Sequence, residues 1–150
     1  MLLNHIASAV GKGLVAGLVG TAAMTLSSTL EMKLNGRPPS DAPSKAAGRA
    51  LGVQPRNQVG KARFGQVVHW SYGISWGIAR GLIALTGLRG AAAAALHFAA
   101  VWGAAQVVLP ALQVAPPVTE WDAEQIATDV LHHAVYAAAA GAAYDFIDEH

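Results

Sequence analysis

An all-α fold is what this 150-residue chain predicts: an integral membrane protein whose four transmembrane helices form an antiparallel bundle. Three observations carry that expectation. The stretch 90–112, GAAAAALHFAAVWGAAQVVLPAL, has no formal charge over about the twenty residues an α-helix needs to cross bilayer hydrocarbon. A water-exposed helix of that length shows a charged face, whereas here only His97, Gln106 and the Trp102 indole are polar. Hydrophobic residues make up 53% of the chain and charged ones 13%, against a usual charged share of about a quarter. Finally, three other segments of similar length are mainly apolar.

Taken in order, residues 8–30 form the first span. Lys12 followed by an apolar run resembles a secretory signal. The run 13–30 exceeds a usual h-region, however, and leads to Glu31 and Lys33 rather than a small-residue cleavage site. Gly13 and Gly17 make a GxxxG pair that admits a neighbouring backbone. Thr25, Ser27 and Ser28 can bond back to helix carbonyls. Residues 31–63 are a basic loop. Pro38, Pro39 and Pro43 block helix continuation there, and 44–52 is expected to form a short helix at the membrane surface.

The second span is 65–87. His69 and Arg80 interrupt it, and Gly73, Gly77 and Gly81 lay a smooth stripe along one side, expected to meet the Ala-rich third helix. The third span, 90–112, follows after so short a linker that the two must be antiparallel neighbours. Pro116 and Pro117 are expected to end it, with Thr119 and Asp122 as N-caps for the fourth span, 124–146. The whole, 1–150, reads as one membrane domain.

Net charge is +1 and there is no cysteine, which leaves no basic surface for nucleic acid and excludes disulfides and thiolate metal sites. Lys33, Arg37, Lys45, Arg49, Arg56, Lys61 and Arg63 gather in or beside the first loop. The positive-inside rule therefore puts loop 31–63 in the cytoplasm of a bacterial inner-membrane, multi-pass protein, with both termini outside.

Depth along each helix follows from the rise of about 1.5 Å per residue. Counting in this way puts His69, Gln106, Asp129, His132 and His133 in one polar layer in the cytoplasmic third, near Ser27, Ser28 and Glu31. Arg80 and His97 share a deeper second layer. Intramembrane ionisable groups are functional candidates. A carboxylate beside imidazole orients the ring, as a proton relay requires. The same set, His69, Asp129, His132 and His133, contains ligand types for a divalent metal. His69 facing a fourth-helix histidine is also the pair a b-type haem takes.

The plainer reading is that these histidines hold helices in register and no cofactor is bound. Arg80 is then a structural counter-ion, pairing with Asp145 or helix carbonyls. Trp70, Trp102 and Trp121 read as interface anchors and core. GxSxG, the P-loop and GxGxxG are all absent, so nothing calls for an enzyme.

His69 with Trp70 and Gly73, the turn Ala115-Pro116-Pro117 with Trp121, and Asp129, His132, His133 and Tyr136 resemble the YagU-like family of bacterial inner-membrane proteins over residues 64–145. The resemblance implies a four-helix inner-membrane protein of no established activity, with histidines in its later helices. Its family has a basic N-terminus that implies the opposite orientation to the charge count above.

The expectation is therefore transport, or proton or cation handling, through the polar layer. A non-catalytic membrane scaffold or accessory subunit is the second reading, and a haem or metal protein the third; a soluble helical bundle is the remaining alternative. The expected partners are the lipid bilayer and a second copy or another membrane protein, met through small-residue faces.

Overall fold

A computed structural model describes the whole chain, Met1–His150, as five helices and no strand. α1, Leu2–Asn35, ends where Gly36 takes the left-handed conformation at φ 63°, a backbone state that costs glycine nothing. Pro38 and Pro39 follow. α2, Ala42–Leu51, stops the same way at Gly52, φ 66°. α3, Gln58–Ala84, is opened by the Asn57 side chain, which accepts from the Gly60 N–H at 2.8 Å. It stops three residues before the expected boundary, at a turn through Gly87.

α4 is Gly90–Ala111. It ends well before Pro116, because Gln113 adopts φ 55° and the chain reverses there, with the Val114 N–H reaching Leu109 O at 2.9 Å. A short 3-10 turn at Val118–Glu120 leads to α5, Ala123–Glu149. Asp122 caps α5 through a capping box: it accepts from the Gln125 N–H at 2.8 Å, and Gln125 accepts from the Asp122 N–H at 3.0 Å.

α1 and α4 are long and apolar enough to cross a membrane. Polar groups such as His69, Arg80, Asp129 and His132 dilute α3 and α5. The accessible surface is 9100 Å², whereas a compact soluble monomer of 15.4 kDa exposes about 7,200 Å². Much of the excess is apolar. Only 18 of 150 residues are buried, while Leu14, Val15, Leu18, Val107 and Leu131 face outward. α4 is the extreme case, with 17% of its most apolar window buried. A water-soluble core inverts that relation, burying its most apolar helix first.

The centre of the fold is the α1–α3 crossing. A Cβ placed on Gly13, Gly17, Gly77 or Gly81 would stand less than 3.0 Å from the opposing backbone, Gly77 against the Gly13 carbonyl and Gly81 against that of Ala9. Glycine on both sides lets the backbones touch. The stripe of Gly73, Gly77 and Gly81 therefore serves α1 and not the Ala-rich α4, as the stripe alone had suggested. Gly13 and Gly17 supply the matching groove. α5 packs along α1 and places the Tyr136 ring against Gly20. α4 leans mainly on α5 and touches α3 more lightly. α2 lies across α3, with Gly48 near Phe64 and Ser44 near Gly65.

Candidate functional site

The contact of α1 with α3 and α5 positions most of the interior polar groups. Near its Glu31 end, the Thr25 hydroxyl donates to Thr21 O at 2.7 Å, so at 2.9 Å it accepts from Nε2–H of His69. Two residues on, Ser27 Oγ lies 2.9 Å from Nδ1 of His132, and Nε2 of that ring faces Glu31 Oε2 at 3.5 Å. Glu31 is gripped from its other side by Arg37, whose Nε stands 3.1 Å from both carboxylate oxygens. This arginine clamp, with help from Asn35 and His132 against the opposing effect of burial, holds the Glu31 carboxyl down to about 2.

Asp129 and His133 face another way. The Trp102 indole N–H donates to Asp129 Oδ2 at 2.8 Å, tying α4 to α5. His133 Nδ1 donates to the Asp129 carbonyl at 2.8 Å and stands 3.5 Å from its carboxylate. Gln106 reaches none of these groups, and its Nε2 is buried without a partner.

The expected layer of His69, Gln106, Asp129, His132 and His133 is thus divided. His69 goes to Thr25, His132 to Ser27 and Glu31, and Asp129 with His133 to Trp102. No three His, Asp or Glu side chains converge closely enough to hold a metal ion, and the candidate ligands His69, Asp129, His132 and His133 are spread over these separate partners. The reason is angular. Adjacent helix residues point about 100° apart, so His132 and His133 cannot both face His69. The His69 Nε2 that a haem pairing would use is bonded to the Thr25 hydroxyl here.

The second layer is brought together. Arg80 and His97 are fully buried. His97 Nε2 donates to Trp76 O at 2.9 Å, one turn before Arg80, and its ring lies 5.5 Å from that of Tyr136. Arg80 pairs with Asp145 through Nη2 and lies over the Tyr144 ring, 4.5 Å from its centroid. Beyond it, Lys12 Nζ meets Asp148 Oδ1 at 2.9 Å and Arg89 approaches Oδ2 at 3.4 Å. These cations, Lys12 first, hold the Asp148 carboxyl below its usual range.

His132, Tyr136, Ala140, Tyr144 and Asp148 recur every fourth residue, the spacing of one helix face. Polar groups are therefore spaced down the buried side of α5 from Glu31 to Lys12, interrupted at Ala140. Four buried polar atoms in the interior have no protein partner, Arg80 Nε and Nη1, His97 Nδ1 and Gln106 Nε2, and His132 Nε2 has only the long 3.5 Å approach to Glu31.

Thr25, Ser27 and Trp102 as partners were not apparent from the sequence. Thr25 and Ser27 read as hydroxyls bonding their own helix, and Trp102 as an anchor. Ser27, His132 and Glu31 stand in the order hydroxyl, imidazole, carboxylate of a nucleophile triad. Ser27, however, sits inside unbroken α1, whose backbone N–H groups are engaged in the helix, so no oxyanion donor faces it.

Comparison with family models, curated proteins and solved structures finds no match for this chain.

Proposed function

We propose that this chain is a four-span, multi-pass protein of a bacterial inner membrane that conducts protons or a small cation through the interior between α1, α3 and α5. The observation that carries this reading is the set of orphaned atoms on Arg80, His97 and Gln106. Buried polar groups without partners ask for water or a bound ion, and these lie in two layers at different depths. A helical hairpin in a bilayer gives such groups no other relief. The outward-facing apolar side chains, above all those of α4, support the bilayer as their solvent. α3 and α5 join the spans as polar-lined helices whose ionisable groups face protein.

In this reading the basic loop between α1 and α3 is cytoplasmic and both termini are outside. Arg49 donates to the Leu112 carbonyl, so that loop and the α4–α5 connection share one end, as an up-down chain requires. The kinship with YagU-like proteins belongs to the same proposal. Self-association through exposed small residues of α4 completes it.

Purified chain in proteoliposomes, loaded with a pH-sensitive dye and driven by a potassium diffusion potential, tests the reading. Proton entry that falls at least tenfold in His132→Ala, with the variant still folded, is the expected result. Equal, background-level entry in both would sink it. In that event the cross-helix bonds Thr25–His69 and Trp102–Asp129 favour the second reading, an accessory subunit whose polar groups only fasten helices.

A further inference from the structure

Positive charge in this chain is concentrated at one end. Residues 33–63 hold seven of the ten lysines and arginines but only Asp41 of the nine acidic residues, so a chain of net charge +1 carries a strongly cationic cap. All seven cations are exposed. Arg37 is taken by Glu31 and Lys45 by Asp41. Lys33, Arg49, Arg56, Lys61 and Arg63 have no carboxylate within 4.0 Å. They stay unpaired although Glu120, Asp122 and Glu124 lie where α4 leads into α5, at the same end.

The cap is built onto the bundle. Ser44 and Gly48 of α2 approach Gly65 and Phe64, in the second turn of α3. Arg49 donates to the carbonyl of Leu112, the residue that closes α4. α2 thus lies level with the point where an apolar span stops. Exposed aliphatic side chains are interleaved with the cations. On α3, Val59, Arg63 and Val67 follow at the four-residue spacing of one helix face, and the two valines are 61% and 64% exposed. On α1, Leu26, Leu30 and Leu34 form a similar exposed file that ends beside Lys33. Leu51, 70% exposed, ends α2.

We infer that this cap binds the anionic headgroups of a phospholipid bilayer, with α2 lying in the headgroup layer. The binding rests on the membrane reading above. An acidic protein would answer the charges alone. A bilayer surface answers both features, because aliphatic side chains enter its acyl boundary while lysine and arginine stems reach back to the phosphates. Recognition by several exposed cations is additive and needs no cleft, and it favours lipids of net negative charge over zwitterionic ones.

The chain has no cysteine, so Leu51→Cys labelled with an environment-sensitive nitrobenzoxadiazole dye reports on α2 alone. Cell fractionation comes first: a chain in the soluble fraction overturns the membrane reading, and the cap with it. Labelled full chain is then placed in nanodiscs of phosphatidylcholine with or without phosphatidylglycerol. Emission about twofold or more higher with phosphatidylglycerol is expected. It should fall back in 1 M potassium chloride, which screens charges beyond about 3 Å. Arg56→Gln, Lys61→Gln and Arg63→Gln together should abolish the gain, while Lys12→Gln with Arg89→Gln, at the other end, should keep it. Equal emission in the two lipids, the result if the cap serves an acidic protein, would overturn the inference and leave the membrane reading standing. So would a gain that survives salt or the triple substitution.

Discussion

Tyr136 donates its hydroxyl to the Gly73 carbonyl at 2.6 Å, and the same ring fills the space above Gly20 on α1. One side chain of α5 thus closes the seam between α1 and α3. Tyr136→Phe removes the bond and leaves the ring, so the expected loss is about 1 kcal/mol. Gly20→Ala forces a methyl into the ring and should cost about 1–3 kcal/mol. Denaturation in mixed micelles, read by circular dichroism, would show the order; a Tyr136→Phe loss as large as that of Gly20→Ala contradicts it.

The α1–α3 crossing makes a sharper contrast. Gly77→Ala drives a Cβ into the Gly13 carbonyl, whereas Gly103 on α4 has nothing within 4 Å of an added Cβ. Gly77→Ala should destabilise by about 1–3 kcal/mol, and Gly103→Ala should be neutral or stabilise by up to about 1 kcal/mol. Comparable melting of the two variants would mean that the backbones do not touch.

Acid should loosen the end of the bundle that holds Glu31. Its carboxyl ionises at about 2 in the folded chain against an ordinary 4.5, so the folded state binds the proton more weakly than the unfolded one. The stabilisation from Glu31 is therefore complete above about pH 4.5 and disappears as pH falls toward 2. Wild type should lose Tm across that interval more steeply than Glu31→Gln, which lacks the titrating group. Parallel curves would dissociate Glu31 from acid sensitivity.

His132 and His133 are neighbours with unlike surroundings. His132 faces Ser27 and Glu31 on another helix, while His133 Nδ1 is satisfied by the Asp129 carbonyl one turn back on its own. Under the conduction proposal, His133→Ala should retain proton flux within about threefold while His132→Ala loses it at least tenfold, a gap of about 0.7 kcal/mol or more in the barrier. The reverse order would reassign the path to the Asp129 side.

Much of this arrangement is legible in the residues. The uncharged run 90–112 matches α4, Asp122 caps α5, and the glycines at 73, 77 and 81 mark a close crossing. Which helix they meet is not legible, because a stripe states how near a neighbour comes and not which neighbour it is. The polar groups show the same limit. Counting rises along the axis put His69, Asp129, His132 and His133 at similar depths, but each step along a helix turns the side chain about 100°. Facing therefore depends on how α1 is rotated against α3 and α5, a property of packing between residues as far apart as Ser27 and His132. Arg80 with Asp145 was foreseeable, since a buried arginine needs a carboxylate and few are available.

The contact of Gly13 and Gly17 with Gly77 and Gly81 also has a mechanical consequence. Interlocked backbones have no side chains between them to re-rotamerise, so α1 and α3 behave as a single stiff strut. α4, held mostly through small residues on α5, is the compliant arm. Movement within the bundle should therefore fall mainly on α4 sliding over α5. Spin-label pairs across α4–α5 should accordingly give broader distance distributions than pairs across α1–α3.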